Sequence, residues 1–292
     1  MLELPGPLAV VCHDAGASNH ILAWLARENA ACRPVMQGPA AALWAARFPG
    51  RPCVATLDEA LDGAGALLSG TGWASDIEHQ ARVAARKSGV HSVAVVDHWV
   101  NYLPRFERHG QRELPDEIWV TDPFAWAEAQ RCFPGHHLRL QPNVYLDEQT
   151  RSIAPLEHAG DDVLVVLEPV RNDWGRGIPG EFQALDFLVK HLNALDLPAG
   201  SSLRLRPHPS DAPGKYDEWL ARPRAAAARL DDASSLAAAI GCCRVVAGCE
   251  SYGLVVALAA GRRVVCMLPP WAPRSRLPHD DLIDLRNLAE TP

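Results

Sequence analysis

The chain has 292 residues, 48% hydrophobic and 22% charged, with a formal net charge of −7. That length suits two domains of ordinary size, and the composition suits a soluble globular protein. The acidic balance argues against a general nucleic-acid surface, and no apolar run approaches the roughly 20 residues needed to span a bilayer.

In chain order, residues 8–14 ("LAVVCHD") predict a buried strand and residues 17–29 an amphipathic helix with Ile21, Leu22, Trp24 and Leu25 on one face. A second strand is expected at 32–38, a short helix ending at Pro49-Gly50, and a third strand or edge at "CVATL". Residues 65–73 predict a strand entering a glycine turn. Residues 75–89 predict a helix with Ser75 as N-cap and Glu78 closing a capping box. Strands follow at 91–99, 116–122 and 137–142, with a helix through Ala129. The polar segment 143–162 reads as a linker between domains spanning 1–145 and 160–292.

Beyond it the alternation restarts. Strands are expected at 163–169, in "SLRLRPHP", in "AAARL", at 244–249 and at 262–268. Helices are expected at 180–195, 212–221, 232–242 with Asp232 as N-cap, 251–261 closed by Gly261, and in the last segment. Strands and helices alternating in this way imply parallel sheets covered on both faces. The expected fold is α/β, two Rossmann-like domains facing a cleft. The N-terminus lacks a basic segment followed by an apolar one, so a cytoplasmic location is expected. Eight cysteines without CxxC spacing suggest neither a disulfide framework nor a zinc site, and several in apolar runs read as small buried hydrophobes.

Open α/β sheets bind ligands beyond their C-terminal strand ends, so the motifs there carry the functional reading. His13 and Asp14 end the first strand. Asp14 is either a general base or a helix cap. "SGTGW", containing Thr71, is either a tight turn or a loop whose N–H groups hold an anion or leave room for a sugar. "VVDHWVNYLPRF" gathers Asp97, His98, Asn101, Tyr102 and Arg105, polar and aromatic groups of the kind a sugar or nucleotide pocket uses; a structural Asp97–Arg105 pair is the alternative. Glu168, Arg171 and Asn172 leave the first strand of the second half as candidates to line the cleft, in a loop made permissive by Gly175 and Gly177; a plain flexible loop is the alternative. In "RLRPHPSD", Pro207 and Pro209 hold His208 still, and Arg204 and Arg206 stand on the same side of the strand. Those three side chains suit a phosphate; a surface strand with solvated arginines is the alternative. Finally, "VVAGCESYG" brings a strand to a helix beginning near Ser251, where free N–H groups suit an anion and Glu250 can reach a ribose hydroxyl; capping is the alternative.

The pair "RPHP" and "GCESYGLVVALAAGRRVV" resembles the donor-nucleotide domain of GT-B glycosyltransferases. It is similar to the pattern in bacterial sialyltransferases and polysialyltransferases, capsule glycosyltransferases and, more distantly, UDP-GlcNAc 2-epimerases. The resemblance implies that His208 and Pro209 form the His-Pro motif and that Ser251 is the later phosphate-binding serine. Tyr252 stands where a second serine is usual. It also implies a nucleotide site of Arg206, His208, Pro209, Glu250, Ser251 and Tyr252, with Asp14 as base. His13, Thr71, Asp97, His98, Asn101, Tyr102, Glu168, Arg171 and Asn172 are the expected sugar or acceptor contacts. The implied activity is inverting, metal-independent transfer from a CMP-nonulosonic acid to a glycan or protein acceptor, in surface glycan or glycoprotein synthesis, with no cofactor. A UDP-GlcNAc 2-epimerase or hydrolase, and a non-catalytic nucleotide-sugar-binding protein, are the alternatives.

Overall fold

The structure is a computed structural model that describes residues 2–170, 172–225 and 227–289. The chain divides into two compact units, Met1–Tyr145 and Leu146–Pro292.

The first unit contains β1 (Leu8–Cys12), α1 (Ala15–Glu28), β2 (Cys32–Met36), α2 (Gly38–Arg47), α3 (Leu57–Leu61), β3 (Ala66–Ser69), α4 (Ile77–Ser88) and β4 (His91–Val95). A two-stranded antiparallel ribbon, β5 (Glu107–Arg108) and β6 (Gln111–Arg112), precedes β7 (Glu117–Val120), α5 (Pro123–Cys132) and β8 (His137–Leu140); α6 (Val144–Arg151) begins in this unit and continues into the second. The six main strands form one parallel sheet in the order β2-β1-β3-β4-β7-β8. Strand β1 shows why it needs helices on both sides. Leu8, Val10 and Cys12 pack with Ile21, Leu22 and Leu25 of α1, while Ala9 and Val11 pack with Ala81 and Ala85 of α4. Pro34, which cannot donate to a ladder, sits in the edge strand β2.

The second unit contains β9 (Gly160–Val166), α7 (Gly180–Lys190), β10 (Leu203–Arg206), α8 (Asp217–Leu220), β11 (Ala228–Leu230), α9 (Leu236–Gly241), β12 (Cys243–Gly248), α10 (Tyr252–Ala259), β13 (Arg263–Cys266), β14 (Ile283–Asp284) and α11 (Leu285–Ala289). Its parallel sheet runs β11-β10-β9-β12-β13-β14. Val163, Val165, Leu203, Leu205, Val245 and Ala247 build its core with Ala184, Leu185 and Leu188 of α7.

Several local expectations change. "CVATL" is not a strand: Thr56 instead caps α3, in a full capping box with Glu59. Ser235, not Asp232, caps α9, its hydroxyl accepting the Ala238 N–H. The helix expected to run to residue 195 ends at Lys190, followed by a 3-10 turn over Leu192–Leu195. The segment read as a linker contains α6 and the start of β9. All eight cysteines are free; four are buried, and Cys53 and Cys242 are exposed. Among the described residues, no helix is long and apolar enough to cross a membrane.

Candidate functional site

In the first sheet the chain goes from β1 to β2 on one side and then to β3 on the other, so the topological switch lies between the C-terminal ends of β1 and β3. His13 and Asp14 stand at the first of these ends and Gly70–Trp73 at the second. Asp14 occupies the N-cap position of α1 but makes no side-chain cap bond. Its Oδ1 lies 2.6 Å from His13 Nδ1, and its Oδ2 accepts the Trp73 N–H at 3.2 Å.

Sequence reasoning misplaced Glu78. Helix α4 begins at Ile77 with Asp76 in the N-cap position, so the Ser75–Glu78 box does not form; Ser75 Oγ accepts the Ile77 N–H. Glu78 turns inward and is buried. Its Oε1 accepts the His13 N–H at 2.9 Å and its Oε2 the Gly72 N–H at 2.5 Å. One carboxylate thus staples the end of β1 to the loop after β3. Burial pushes the Glu78 carboxyl above the usual range, against the stabilising pull of those two N–H groups. The N–H groups of Gly72 and Trp73 are therefore occupied by carboxylates of the chain itself, Glu78 and Asp14. The same crowding explains the glycines: a Cβ at Gly70 would overlap Glu78 Oε1, and one at Gly72 would overlap Asp14 Oδ2. Gly72→Ala is expected to push Asp14 away from His13 and to cost about 1–3 kcal/mol of stability. A urea melt of the variant at the native midpoint would refute this if the two curves coincided.

At the end of β4, the Asp97–Arg105 alternative is what forms. Arg105 donates from Nη1 to Asp97 Oδ1 at 2.7 Å and to Thr71 Oγ1 at 3.1 Å. Burial opposes the Asp97 charge, but Arg105, His20 and His98 outweigh it and hold the carboxyl below the ordinary range. A Cβ at Gly16 would overlap Asp97 Oδ2, so this carboxylate lies against the start of α1. Thr71 is fully buried, its hydroxyl donating to Val95 O, and Tyr102 is buried with its hydroxyl on Ala125 O. Both are wall rather than lining, because their polar atoms are spent inside. His98 Nδ1 accepts the Trp99 N–H, and Trp99 donates its indole N–H to Asp122. Asn101 is exposed in a left-handed conformation, φ 62°, that closes the turn carrying Arg105.

In the second sheet the switch lies between β9 and β12, since β10 and β11 extend on one side and β13 on the other. Strand β9 lies between β10 and β12 and brings Glu168 between their ends. Ser251 is the N-cap of α10, its hydroxyl accepting the Gly253 N–H at 3.1 Å. Glu168 Oε1 accepts the Glu250 N–H. Burial raises the Glu168 carboxyl to about 7. Glu250 is gripped by Arg276, through the backbone N–H and two guanidinium nitrogens. A cavity of about 570 Å³ opens here, lined by Glu168, Trp174, Cys249, Glu250, Arg274 and Arg276 among others. Asn172 also lines it, and its Oδ1 accepts the Trp174 N–H. Arg171 lies outside the described residues. Tyr252 opens α10.

After β10, the His208 loop is latched by a residue not singled out in the sequence. Asp211 accepts from the His208 N–H, Lys215 Nζ and Tyr216 OH at 2.7–3.1 Å. His208 is exposed, and its Nδ1 accepts the Ser210 N–H at 3.1 Å. The proton of its neutral ring therefore sits on Nε2, which becomes a donor. Pro209 is exposed beside it. Arg204 and Arg206 are already paired: both reach the buried carboxylate of Asp231, at 2.6 Å each, and Arg206 also donates to Ala233 O.

No family model matches the chain, and no curated protein matches it. Solved structures do. A UDP-GlcNAc 2-epimerase from Methanocaldococcus jannaschii superposes with a TM-score of 0.63 at 10% identity, over 97% of this chain and 91% of that one. The S. aureus MnaA–UDP structure gives 0.58 at 11% identity, over 89% and 79%. The fold is GT-B. The glycotransferase of kitacinnamycin gives 0.50 at 16% identity, over 93% and 82%. At such identities the likeness speaks to fold, and chemistry must be argued from the side chains. In each Rossmann-like domain of this GT-B chain, ionisable groups gather at the switch point: His13, Asp14 and Glu78 in the first, Glu168 and Glu250 in the second.

Proposed function

We propose that the protein is an enzyme acting on a nucleotide-activated sugar: an inverting, metal-independent glycosyltransferase with a CMP-linked nonulosonic acid as donor and a glycan or protein as acceptor. The observation that carries this reading is the His208 loop. Its latch to Asp211 and the Ser210 N–H on Nδ1 present Nε2–H, on an exposed side chain, at the end of a parallel strand. A fixed donor in that place meets the charge that grows on a departing phosphate. Ser251 at the start of α10 belongs to the same nucleotide site, two strand ends away.

The test is a thermal-shift panel of CMP, CDP, UDP, GDP and TDP on the native chain and on His208→Ala. A CMP-selective rise, absent from the variant, is expected, because a ligand at 100 times its Kd adds about 2.7 kcal/mol to the folded state. Selectivity for UDP would instead support an epimerase or hydrolase of UDP-sugars, a second reading favoured by the superposition on the M. jannaschii enzyme. No shift with any nucleotide would overturn both.

A further inference from the structure

We propose that a second cavity of the C-terminal unit, running along α7, binds a small aromatic organic anion: a flat apolar body carrying a sulfonate, carboxylate or phosphate. This goes beyond the nucleotide-sugar reading and does not rest on it. No described residue lines both this cavity and the one beside Glu168.

The cavity holds about 870 Å³, a volume typical of small-molecule sites. It is lined by α7 from Gln183 to Lys190, by Arg176 and Ile178 before that helix, by Pro270 and Trp271 after β13, and by α11. Along it, π surfaces follow one another. The Arg176 guanidinium lies 3.8 Å from the centroid of the Trp271 ring. Trp271 meets Phe187 edge-on at 6.1 Å, and Phe187 lies 4.7 Å from His191. A flat apolar body packs well on such a wall. Trp271 and Ile178 are 41% and 50% exposed, which leaves apolar area uncovered at this one place. The wall is also preformed. Buried Gln183 accepts the Trp271 indole N–H at 2.6 Å and donates to Asp173 O and Ile178 O, so one side chain holds two loops. Arg286 fixes the loop after β13 by donating to the carbonyls of Leu268, Ala272 and Pro273 at 2.8–2.9 Å.

Charge selects the ligand. In a chain of net charge −7, this lining sets Arg176, Lys190 and Arg286 against one acidic residue, Asp186. Asp186 turns Oδ1 to the Trp219 indole N–H. The carbonyls on Arg286 do not cancel its charge, and Asp284 comes no nearer than 4.0 Å. Among the described residues no carboxylate pairs with Arg176 or Lys190, and both side chains are exposed. Arg176 precedes the first turn of α7 and Lys190 is its last residue, so the two cations mark the ends of the site. An anionic group at either end gains a charge-assisted bond while its ring lies on Trp271 and Phe187.

The experiment compares two dyes that share one body. 8-Anilinonaphthalene-1-sulfonate carries the anion and N-phenyl-1-naphthylamine lacks it. Fluorescence titration of the full chain should show the sulfonate binding tighter than the neutral dye. Arg176→Gln with Lys190→Gln should weaken the sulfonate about tenfold or more and leave the neutral dye within about threefold. The indole N–H resonance of Trp271, assigned with Trp271→Phe, should move as the sulfonate saturates. The inference falls if neither dye binds or the native chain holds both equally. It falls equally if the double variant keeps the sulfonate within about threefold or loses both dyes together, or if the Trp271 signal stays still at saturation. Each of those results leaves the CMP test of the transferase reading untouched.

Discussion

Glu168→Gln is expected to flatten the pH dependence of the second domain's stability, gaining about 3 kcal/mol on the native chain between pH 4.5 and pH 8. The cause is a buried carboxyl. Glu168 accepts the Glu250 N–H beside the Glu250 carboxylate, and burial raises it from 4.5 to about 7. Below pH 4.5 both folded and unfolded chains hold the proton, and the stabilisation is fully present. As pH rises the unfolded chain releases the proton first, so stability is lost through the window up to about 7 and stays lost above it. Glutamine cannot ionise and can still accept the Glu250 N–H, which isolates the charge.

The first domain should tilt the other way. His20 is buried and its pKa is lowered from 6.5 to about 4, chiefly by burial. The unfolded chain therefore gains a proton first as pH falls, and the first domain weakens between about 6.5 and 4. Urea midpoints at pH 5 and 8 decide the Glu168 claim: native and variant curves that move in parallel with pH would sink it.

Asp231→Ala should cost about 3–5 kcal/mol, the usual penalty for stripping one partner from a buried ion pair. The Asp231 side chain is fully buried, and the guanidinium groups of Arg204 and Arg206 converge on its two oxygens, being themselves only 11% and 23% exposed. Without the carboxylate, two neighbouring cations repel each other in a partly dry setting. The same pair separates two roles for Arg206. If it serves only Asp231, Arg206→Met lowers the melting temperature and leaves the affinity of the folded protein for nucleotide unchanged. If it also meets the donor phosphate, nucleotide Kd rises about tenfold or more, as for the loss of a charge-assisted bond. A drop below about 1 kcal/mol in Asp231→Ala would show that the triad is not the brace its geometry implies.

Some of the site was legible as residue type and place. His13, Asp14, Asp97, His208 and Ser251 were all expected at strand ends, and each lies at or just beyond one. Their partners were not legible. Thr71 and Tyr102 read as pocket groups from their places in the loops after two strands, yet both hydroxyls are consumed by backbone carbonyls in the interior. Asp211 was not singled out in the sequence, and it latches the His208 loop. Glu78 looked like a helix cap and is a buried staple, for a reason no local pattern contains: it needs the end of β1 and the loop after β3 to arrive on either side of it.

The sequence by itself determined the layers. Apolar runs such as "LAVVC" and "VLVV", separated by helical periods and turn glycines, specify parallel strands with both faces covered, because those signals act between residues a few positions apart. Only the tertiary structure decided the chemistry. Strand order placed β9 between β10 and β12, which put Glu168 at the second switch point. It also joined His13 to Glu78 across 65 positions and Asp14 to Trp73 across 59. Which nitrogen of a histidine carries its proton depends on the group packed against the ring. For His13 that group is Asp14, itself held in place by a contact this distant.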